Sequence, residues 1–438
     1  MEGQRRSYPY SWVVLSTVLI VYFLYWFQRS DISTVIPSLI STYHWDPATV
    51  GWLNSALIWS YAVMQVPFGY VSERWLGARI TVLFGTLLMG VGSVLFGIFL
   101  PSIELSIIIR ALIGAGSAAI LVPANSMLAR WFSPSRRGMQ TAILFNSGQL
   151  AMILASLIMP VLVSGQTRLL GLSSVQSDFL LVGLPVILAV PMVFRFTRNT
   201  PEDIGLPPIT EQLSEARKVE CNEESTGYVL KHSSSPYILT LVYAGATGGF
   251  SISAWLTLYF VKVYNMDNVT AAFLFTMVAT VPPLLGQPLA GFVGDRIGHR
   301  KVVVYSLLGS FLIMALVTSL IALFGTIPLQ YIITLLVLFW MFNSGLVNAW
   351  PLTTELFTPK VAGTAAGIMN SGGNLVGAIV SVVPGYFIAS NPSFIPVFAI
   401  GTIVTLMGLV ASLFLPSKKQ SVGQRKLAPQ DQIASVKE

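Results

Sequence analysis

The chain has 438 residues, of which 54% are hydrophobic and only 10% are charged, and its mean hydropathy is +0.72. A soluble globular domain carries about 25% charged residues, so this composition excludes one and indicates a polytopic membrane protein. The net charge of +7 does not indicate nucleic-acid binding. Nearly all Lys and Arg fall in termini and loops on one predicted face, which by the positive-inside rule places both termini in the cytoplasm. The expected location is the plasma membrane.

Apolar runs of about 20 residues, long enough to cross a bilayer, recur twelve times along the chain. They cover 12–37, 48–72, 78–99, 104–129, 139–163, 178–195, 237–262, 269–293, 302–324, 328–354, 362–389 and 393–416. The predicted fold is an all-α membrane protein with twelve transmembrane helices in two pseudo-symmetric six-helix bundles. The bundles are expected at 1–197 and 236–417, with a polar, acidic cytoplasmic linker at 198–235 and a cytoplasmic tail at 418–438.

The first predicted helix contains two charges, Arg29 and Asp31. A charge near the centre of a bilayer costs roughly 2.5–3.5 kcal/mol, so it is retained when it faces a partner, a cavity or a substrate. Arg29 is therefore the leading candidate for binding substrate, with a structural charge held by neighbouring carbonyls as the alternative. Two residues apart on a helix, the side chains point to nearly opposite sides, so Asp31 is not expected to pair with Arg29.

Asp31 is expected to be the carboxylate well inside the bilayer region, and it is the candidate coupling site for H⁺ or Na⁺. Burial drives a carboxyl group toward its neutral form and a nearby cation drives it back, so its protonation can respond to substrate. A structural role, in which Asp31 neutralises Arg110 or reaches the outer vestibule, is equally compatible with the sequence.

Aromatic and amide side chains extend the candidate substrate site. Tyr22, Tyr25 and Trp26 share a helix face with Arg29 and could line a cavity beside it. Tyr61 and Gln65 of the second helix are similar candidates. An aromatic stripe in a membrane helix is also a common packing feature, so these residues rank below Arg29.

The two halves of the chain repeat each other. The loop after the second helix, with Gly69, Glu73, Arg74 and Arg79, matches the loop after the eighth, with Gly291, Asp295, Arg296 and Arg300, at an offset of 222 residues. Asn146 of the fifth helix and Asn370 of the eleventh form a second match at an offset of 224. Duplication of a six-helix unit is the layout of secondary transporters, whose substrate site lies near the midplane between the halves. The matched loop residues are predicted to form ion-pair latches that exist in one conformation and break in the other.

Arg110 in the fourth predicted helix is the second intramembrane cation. Counting 1.5 Å per residue from the predicted outer helix ends places it level with Arg29 within roughly 3 Å. Two guanidinium groups at one depth make a positive pocket suited to a carboxylate or phosphate. A structural role next to the small-residue segment that follows Arg110 is the alternative.

The second half carries no charge in its predicted helix centres, only polar groups such as Asn343 and Asn370. The substrate site is therefore expected to be divided, with charge recognition in the first half and hydrogen bonding in the second. Together with Asn146, these two amides complete the set of predicted substrate-binding residues.

Enzyme chemistry is not expected. The single Cys221 lies in a polar loop, and the three His residues, including His299, are placed in loops, which removes histidine as an intramembrane proton carrier. No metal site or cofactor is predicted, because the apolar segments contain no paired carboxylates or His and Cys clusters.

The repeated loops and Arg110-x-x-x-Gly114 resemble the major facilitator superfamily over essentially the whole chain. The stretches Phe27-Gln28-Arg29-Ser30-Asp31 and Tyr61-Ala-Val-Met-Gln65 are similar to the anion:cation symporter family of organic-anion transporters. This resemblance implies alternating access, a substrate anion bound by Arg29, and a family helix 4 arginine that maps onto Arg110. Where many members carry coupling acids, this chain has Gln28 and Ser117, so either Asp31 has taken over coupling or the protein is a facilitator or exchanger.

The function expected from the sequence is secondary active transport of a small organic anion, of the carboxylate or sugar-acid class, by a monomer in the lipid bilayer. Coupling to H⁺ or Na⁺ is open. The alternatives are an organic-anion or phosphate exchanger or facilitator and an efflux carrier for an amphipathic compound. A membrane sensor is disfavoured because no cytoplasmic domain larger than the linker and tail is predicted.

Overall fold

The computed structural model describes residues 7–133, 137–165, 171–209, 233–357, 359–390 and 393–416. Over these residues the chain forms twelve bilayer-length helical segments. Their bounds are α1 Pro9–Tyr43, α2 Pro47–Val71, α3 Gly77–Phe99, α4 Ile103–Trp131, α5 Arg137–Ser164, α6 Ser174–Phe196, α7 Ser235–Tyr264, α8 Asn268–Ile297, α9 His299–Phe324, α10 329–356, α11 Pro359–Ser390 and α12 Ile395–Leu413. The face on which α1 begins, predicted to be cytoplasmic, is called the inner face, and the opposite face is called the outer face.

Along the described bilayer-length helices and their connections, three short segments depart from α-helical geometry, and a fourth, the 3-10 helix Pro201–Ile204, follows α6. A π-helical turn, Ser72–Leu76, joins α2 to α3, so the two form one continuous stretch of 53 residues. A second π turn, Thr276–Thr280, lies inside α8, and a 3-10 segment, Ser344–Asn348, lies inside α10. Such irregular turns within membrane helices mark places where backbone geometry is adapted to a neighbour or a cavity.

Two predicted boundaries are wrong. α1 was expected to end at Pro37 but continues to Tyr43 with Pro37 inside it. In a bilayer the backbone has no water to bond with, so a helix that loses one bond at proline still gains by continuing. His299 was expected in a loop and is instead the first residue of α9.

The two halves meet at the outer face. A Cβ placed on Gly385 of α11 would lie 2.6 Å from the carbonyl oxygen of Pro47 at the start of α2. The indole N–H of Trp52 donates to the hydroxyl of Tyr386 at 2.8 Å. The amide of Asn268 at the start of α8 donates to Ser38 of α1 at 3.1 Å. These contacts close the space between the halves toward the outer face.

The first part of the predicted linker packs on the inner face of the first half. The indole of Trp131 donates to the carbonyl of Arg198 at 2.8 Å, and the hydroxyl of Tyr8 donates to the carbonyl of Pro207 at 2.9 Å. Residues 210–232 of the linker, with Cys221, and residues 417–438, which include the whole predicted tail, lie outside the described residues. The predicted domain boundaries therefore stay a prediction.

Candidate functional site

A cavity lies between the halves and has two adjoining parts. The first chamber, of about 120 Å³, is lined from both halves, by α1, α2, α4 and α5 on one side and by α7, α8, α10 and α11 on the other. The second chamber, of about 110 Å³, lies mainly among α7, α8 and α10. Five side chains line both chambers, namely Trp26, Phe145, Tyr243, Thr247 and Trp350.

Arg29 lies in the wall of the first chamber, half-buried, and it is the single charged side chain among the described residues that line either chamber. Its guanidinium donates to the Tyr25 hydroxyl at 2.9 Å and to Oδ1 of Asn374 on α11 at 2.6 Å. The guanidinium carbon is also 5.1 Å from the ring centre of Trp26 and 5.1 Å from that of Tyr61. Two aromatic faces and two neutral oxygens hold the cation without a carboxylate, which leaves its charge available to an anion.

A polar network continues from Arg29 across the boundary between α2 and α11. Asn374 donates to the Asn370 side-chain oxygen at 3.0 Å, and the Asn370 amide donates to the Tyr61 hydroxyl at 3.4 Å. The Gln65 amide also donates to that hydroxyl, at 3.1 Å, and the Ser371 hydroxyl donates to the Gln65 oxygen at 2.9 Å. Residues predicted separately in the two halves thus form one connected set.

Arg110 and Asp31 lie on the other side of α1, away from the cavity. Arg110 donates to Oδ1 of Asp31 at 3.2 Å and to the backbone oxygen of Gln28 at 3.2 Å, and its guanidinium carbon is 5.4 Å from the Phe96 ring centre. Both charged side chains are almost fully buried, at 1% and 3% exposure. The expected pocket shared by Arg29 and Arg110 is therefore not found, because Arg110 approaches α1 from the opposite side and lines neither chamber.

Of the remaining predicted binding residues, one lines the cavity and one does not. Asn343 is buried and lines the second chamber together with Gln149 and Gln287. Asn146 is exposed and lines neither chamber, because it lies one residue beyond Phe145, which does line both. A step of one residue along a helix turns the side chain by about 100°. Matching Asn146 to Asn370 by sequence therefore does not show which helix face enters the cavity.

Some residues of the site were not predicted. Asn374 accepts the hydrogen bond from Arg29. Its position four residues after Asn370, on the same helix face, could have indicated that it belongs to the site. Tyr243 and Trp350 were also not predicted; they pack edge to face with ring centres 5.9 Å apart and line both chambers, as does Trp26, which shares a helix face with Arg29. Nothing in the sequence distinguishes Trp350 from an aromatic residue that faces lipid.

The two positions at which the resemblance implies coupling acids contain neutral side chains, Gln28 and Ser117. Gln28 is buried and its amide donates to the Ser93 hydroxyl of α3. Ser117 is buried and donates to the carbonyl of Ile113 at 2.7 Å. A second buried carboxylate, Asp178, lies about one turn from the start of α6.

The predicted latch residues lie on the inner face. Arg79 donates to the Phe194 carbonyl at 2.6 Å, and Arg74 is exposed. Of Glu73 the structure describes only the backbone, within the π turn that follows Gly69.

In the second half, His299 bridges two carboxylates, with its Nε2 atom 3.5 Å from Asp295 and 3.5 Å from Glu355. Its Nδ1 atom contacts Oδ1 of Asn348 at 2.6 Å. Among the other predicted latch residues, Gly291 precedes this cluster by one turn, Arg296 lies over the Phe292 ring at 4.0 Å, and Arg300 contacts the Leu413 carbonyl at 3.4 Å. The cluster therefore ties α8, α9 and α10 together within one half.

Among curated proteins, relatives match the chain over nearly its full length. The chain is 23% identical to a probable sulfoacetate transporter, SauU, of Cupriavidus necator, over 92% of this chain and 93% of that protein. It is 22% identical to the probable galactarate/D-glucarate transporter GudP of Escherichia coli, over 96% and 98% of the two chains. It is also 22% identical to a chloroplastic ascorbate transporter of Arabidopsis thaliana, over 94% of this chain and 76% of that one.

Solved structures share the fold. A D-xylose-proton symporter superposes with a TM-score of 0.70 at 15% identity, covering 94% of this chain and 98% of that one. An inward-facing, unoccupied bacterial homologue of the human lysosomal transporter Spinster gives 0.69 at 17% identity, over 93% and 95% of the chains. These likenesses confirm the fold class predicted from the sequence.

The family comparison covers almost the entire chain. The model of the Major Facilitator Superfamily matches residues 18–282 and 273–436. Together with the transporter relatives and the shared fold, this match confirms the resemblance seen in the sequence and the expectation that the protein is not an enzyme. The chain is a multi-pass membrane protein that belongs to the Major Facilitator Superfamily.

Proposed function

We propose that the protein carries a small organic anion across the membrane by alternating access and that Arg29 binds the anionic group. The observation that carries this proposal is the position of Arg29 as the single charged side chain in the described lining of a cavity between the halves. An intramembrane cation without a carboxylate partner is costly unless an anion neutralises it during the cycle. The names of the relatives, which refer to sulfoacetate, sugar acids and ascorbate, support an anionic substrate.

The contacts of Arg29 suggest how anion binding acts on both halves. Asn374 of the second half occupies one terminal nitrogen of the guanidinium and Tyr25 occupies the other. A carboxylate that takes both nitrogens in a bidentate pair displaces Asn374 and so exchanges a contact between the halves for a contact with substrate. Tyr25, Tyr61, Gln65 and Asn370 then orient the substrate through the network already in place.

Arg110 and Asp31 are assigned a supporting role in this proposal. Arg110 neutralises Asp31 behind α1, and the pair holds α4 against the helix that carries Arg29. Coupling through Asp31 would require a proton or Na⁺ to displace Arg110 from a nearly fully buried carboxylate. The matched loops with Glu73 and Asp295 remain a proposed latch, and the plasma membrane, cytoplasmic termini and monomeric state are proposed with them.

Anion exchange is a second candidate mode of transport, favoured by the described lining of the cavity. The described lining contains no carboxylate, and Gln28 and Ser117 stand at the positions where the family resemblance implies coupling acids. Proteoliposomes distinguish the two modes. Uptake driven by an imposed proton gradient supports coupling, whereas uptake that depends on an anion inside the vesicle and ignores the gradient supports exchange.

The binding proposal is tested by thermal unfolding of the purified protein with mono- and dicarboxylates, sugar acids, phosphates and neutral or cationic controls. A ligand at 100 times its dissociation constant stabilises the native state by about 2.7 kcal/mol. We expect one class of anion to stabilise the wild type and the control Arg195→Ala, which loses an exposed positive charge, but not Arg29→Ala. Equal stabilisation of Arg29→Ala, or stabilisation by neutral compounds only, would contradict the proposal.

A further inference from the structure

We infer that the second chamber is a subsite for an uncharged hydrogen-bonding group, so that the preferred substrate is an anion with a single negative charge and a neutral polar end. This inference rests on the proposed function of Arg29 as the anion-binding group. It selects within the organic anions and predicts a preference that differs from the doubly charged sulfoacetate and galactarate/D-glucarate for which two relatives are named.

The charge balance of the cavity is the first observation. Arg29 supplies one positive charge, and the other described side chains that line the two chambers are uncharged. A singly charged anion neutralises this cavity. The second carboxylate of a dianion would enter it without a counter-charge, and an uncompensated charge in a poorly hydrated site is strongly disfavoured.

The second observation is an unpartnered donor in the second chamber. The side chain of Asn343 is 4% exposed, and its Nδ2 atom is buried without a hydrogen-bond partner among the described residues. Buried amide donors nearly always have an acceptor, so an exception in a cavity wall points to a ligand. Gln287 in the same lining adds an amide group that can donate or accept, and Gln149, whose amide nitrogen already donates to the Thr280 carbonyl at 3.2 Å, adds an acceptor oxygen. These groups suit a hydroxyl, carbonyl or amide on the substrate.

The two chambers are close enough to hold one molecule. Trp26, Phe145, Tyr243, Thr247 and Trp350 form walls of both, so the chambers adjoin without an intervening helix. Each chamber, of about 120 Å³ and about 110 Å³, is smaller than the roughly 150 Å³ cavity that accommodates benzene, but the two together are larger than it. A compact acid therefore fits with its carboxylate at Arg29 and its other end near Asn343.

Matched acids test this inference on the purified full-length protein. Butyrate, 4-hydroxybutyrate and succinate have the same number of carbons and differ in the far end, which is apolar, neutral polar or charged. Gluconate and glucarate provide a longer pair. We expect 4-hydroxybutyrate to bind at least tenfold more tightly than succinate, and gluconate at least tenfold more tightly than glucarate, by titration of thermal stabilisation.

Asn343→Leu tests the subsite directly. It should remove the advantage of 4-hydroxybutyrate over butyrate and leave butyrate binding unchanged, whereas Gln330→Leu, an exposed position on the same helix, should change neither. If Asn343→Leu does not fold, the comparison of matched acids on the wild type still tests the preference for a single charge and a neutral polar end. Binding of the dianions as tight as that of the monoanions, or an Asn343→Leu effect equal for all acids, would overturn the inference.

The outcomes separate this inference from the proposed function. Tight binding of dianions that is lost in Arg29→Ala contradicts the single-charge inference and supports the anion-binding role of Arg29. Absence of stabilisation by every acid, or stabilisation that persists in Arg29→Ala, contradicts the proposed function and the inference with it.

Discussion

Arg29 is held by geometry that uses both terminal nitrogens of its guanidinium, one on Tyr25 and one on Asn374. A lysine at this position retains the charge but presents a single nitrogen, so it cannot make the paired contacts of a planar fork. We expect Arg29→Lys to weaken anion binding by about tenfold or more, an effect of about 1.4 kcal/mol. Equilibrium binding to the purified variant measures this, with Arg195→Lys as the control. Unchanged affinity would mean that substrate binding requires only a positive charge at this position and not the two terminal nitrogens of a guanidinium group.

Asp31 and Arg110 form a buried ion pair whose partners depend on each other. Removing one partner of such a pair leaves an isolated buried charge and costs about 3–5 kcal/mol, whereas replacing both with apolar residues is often nearly neutral. We therefore expect Arg110→Met and Asp31→Leu each to lower the unfolding temperature strongly and the double variant to recover most of the loss. Thermal unfolding of the three variants measures the coupling. Additive losses in the double variant would show that the two side chains act independently.

At the scale of the helices, the packing of α5 against α1 sets the position of Trp26. A Cβ on Gly148 would come within 2.7 Å of the indole nitrogen of Trp26, so an added methyl group displaces the ring from the chamber wall. We expect Gly148→Ala to reduce anion binding and transport. Gly363→Ala is a matched control, because nothing lies within 4 Å of its Cβ position. At such an open site alanine is expected to stabilise by about 0.4–1 kcal/mol. Normal transport by Gly148→Ala would show that the position of Trp26 is unimportant.

The start of α2 provides a pH-dependent contact outside the membrane segments. Asp46 is the N-cap and accepts from the backbone N–H and the hydroxyl of Thr49 at 2.9 and 2.7 Å. Partial burial acts to raise the pKa of Asp46, but these hydrogen bonds outweigh it and lower the pKa below its ordinary value. The stabilisation is therefore present above the ordinary pKa of about 3.9 and is lost as the pH falls through the lower, folded-state value.

We expect Asp46→Ala to lower the free energy of unfolding by about 1 kcal/mol at neutral pH, as is usual for loss of an N-cap. The difference from wild type should begin to shrink as the pH falls below about 3.9, where the unfolded chain takes up a proton, and should vanish below the lower folded-state pKa of Asp46. Thermal unfolding measured from pH 7 to pH 3 checks both statements, with Asp46→Asn expected to retain most of the cap. A constant difference over this range would contradict the role of the ionised carboxylate.

The helices were more predictable than their ends and contacts. Apolar runs bounded by charged loops fixed twelve spans, because a bilayer admits few other structures. The continuation of α1 through Pro37 was not predictable from proline's usual effect on soluble helices. The contact of Arg29 with Asn374, 345 residues away, depends on how two bundles pack, and no local pattern encodes that packing.

For the whole molecule, the outer closure depends on close approach of α2 and α11 at Gly385. A larger side chain there separates the helix ends and favours a state open to the outer face. We expect Gly385→Val to increase labelling of a cysteine placed at Ser33, in the first chamber wall, by an impermeant thiol reagent added outside intact cells. The background is Cys221→Ser, since Cys221 is the single cysteine of the chain. Unchanged labelling would show that this contact does not control outer access.

The neutral pair behind α1 also determines how membrane voltage acts on the carrier. Because Asp31 cancels the charge of Arg110, the described core between the halves has one net positive charge when empty and none when it holds a singly charged anion. A full elementary charge moved through 100 mV corresponds to about 2.3 kcal/mol. Voltage should therefore act on the return of the empty carrier and leave the loaded step nearly unaffected, so the membrane potential sets the cycle rate through the empty state.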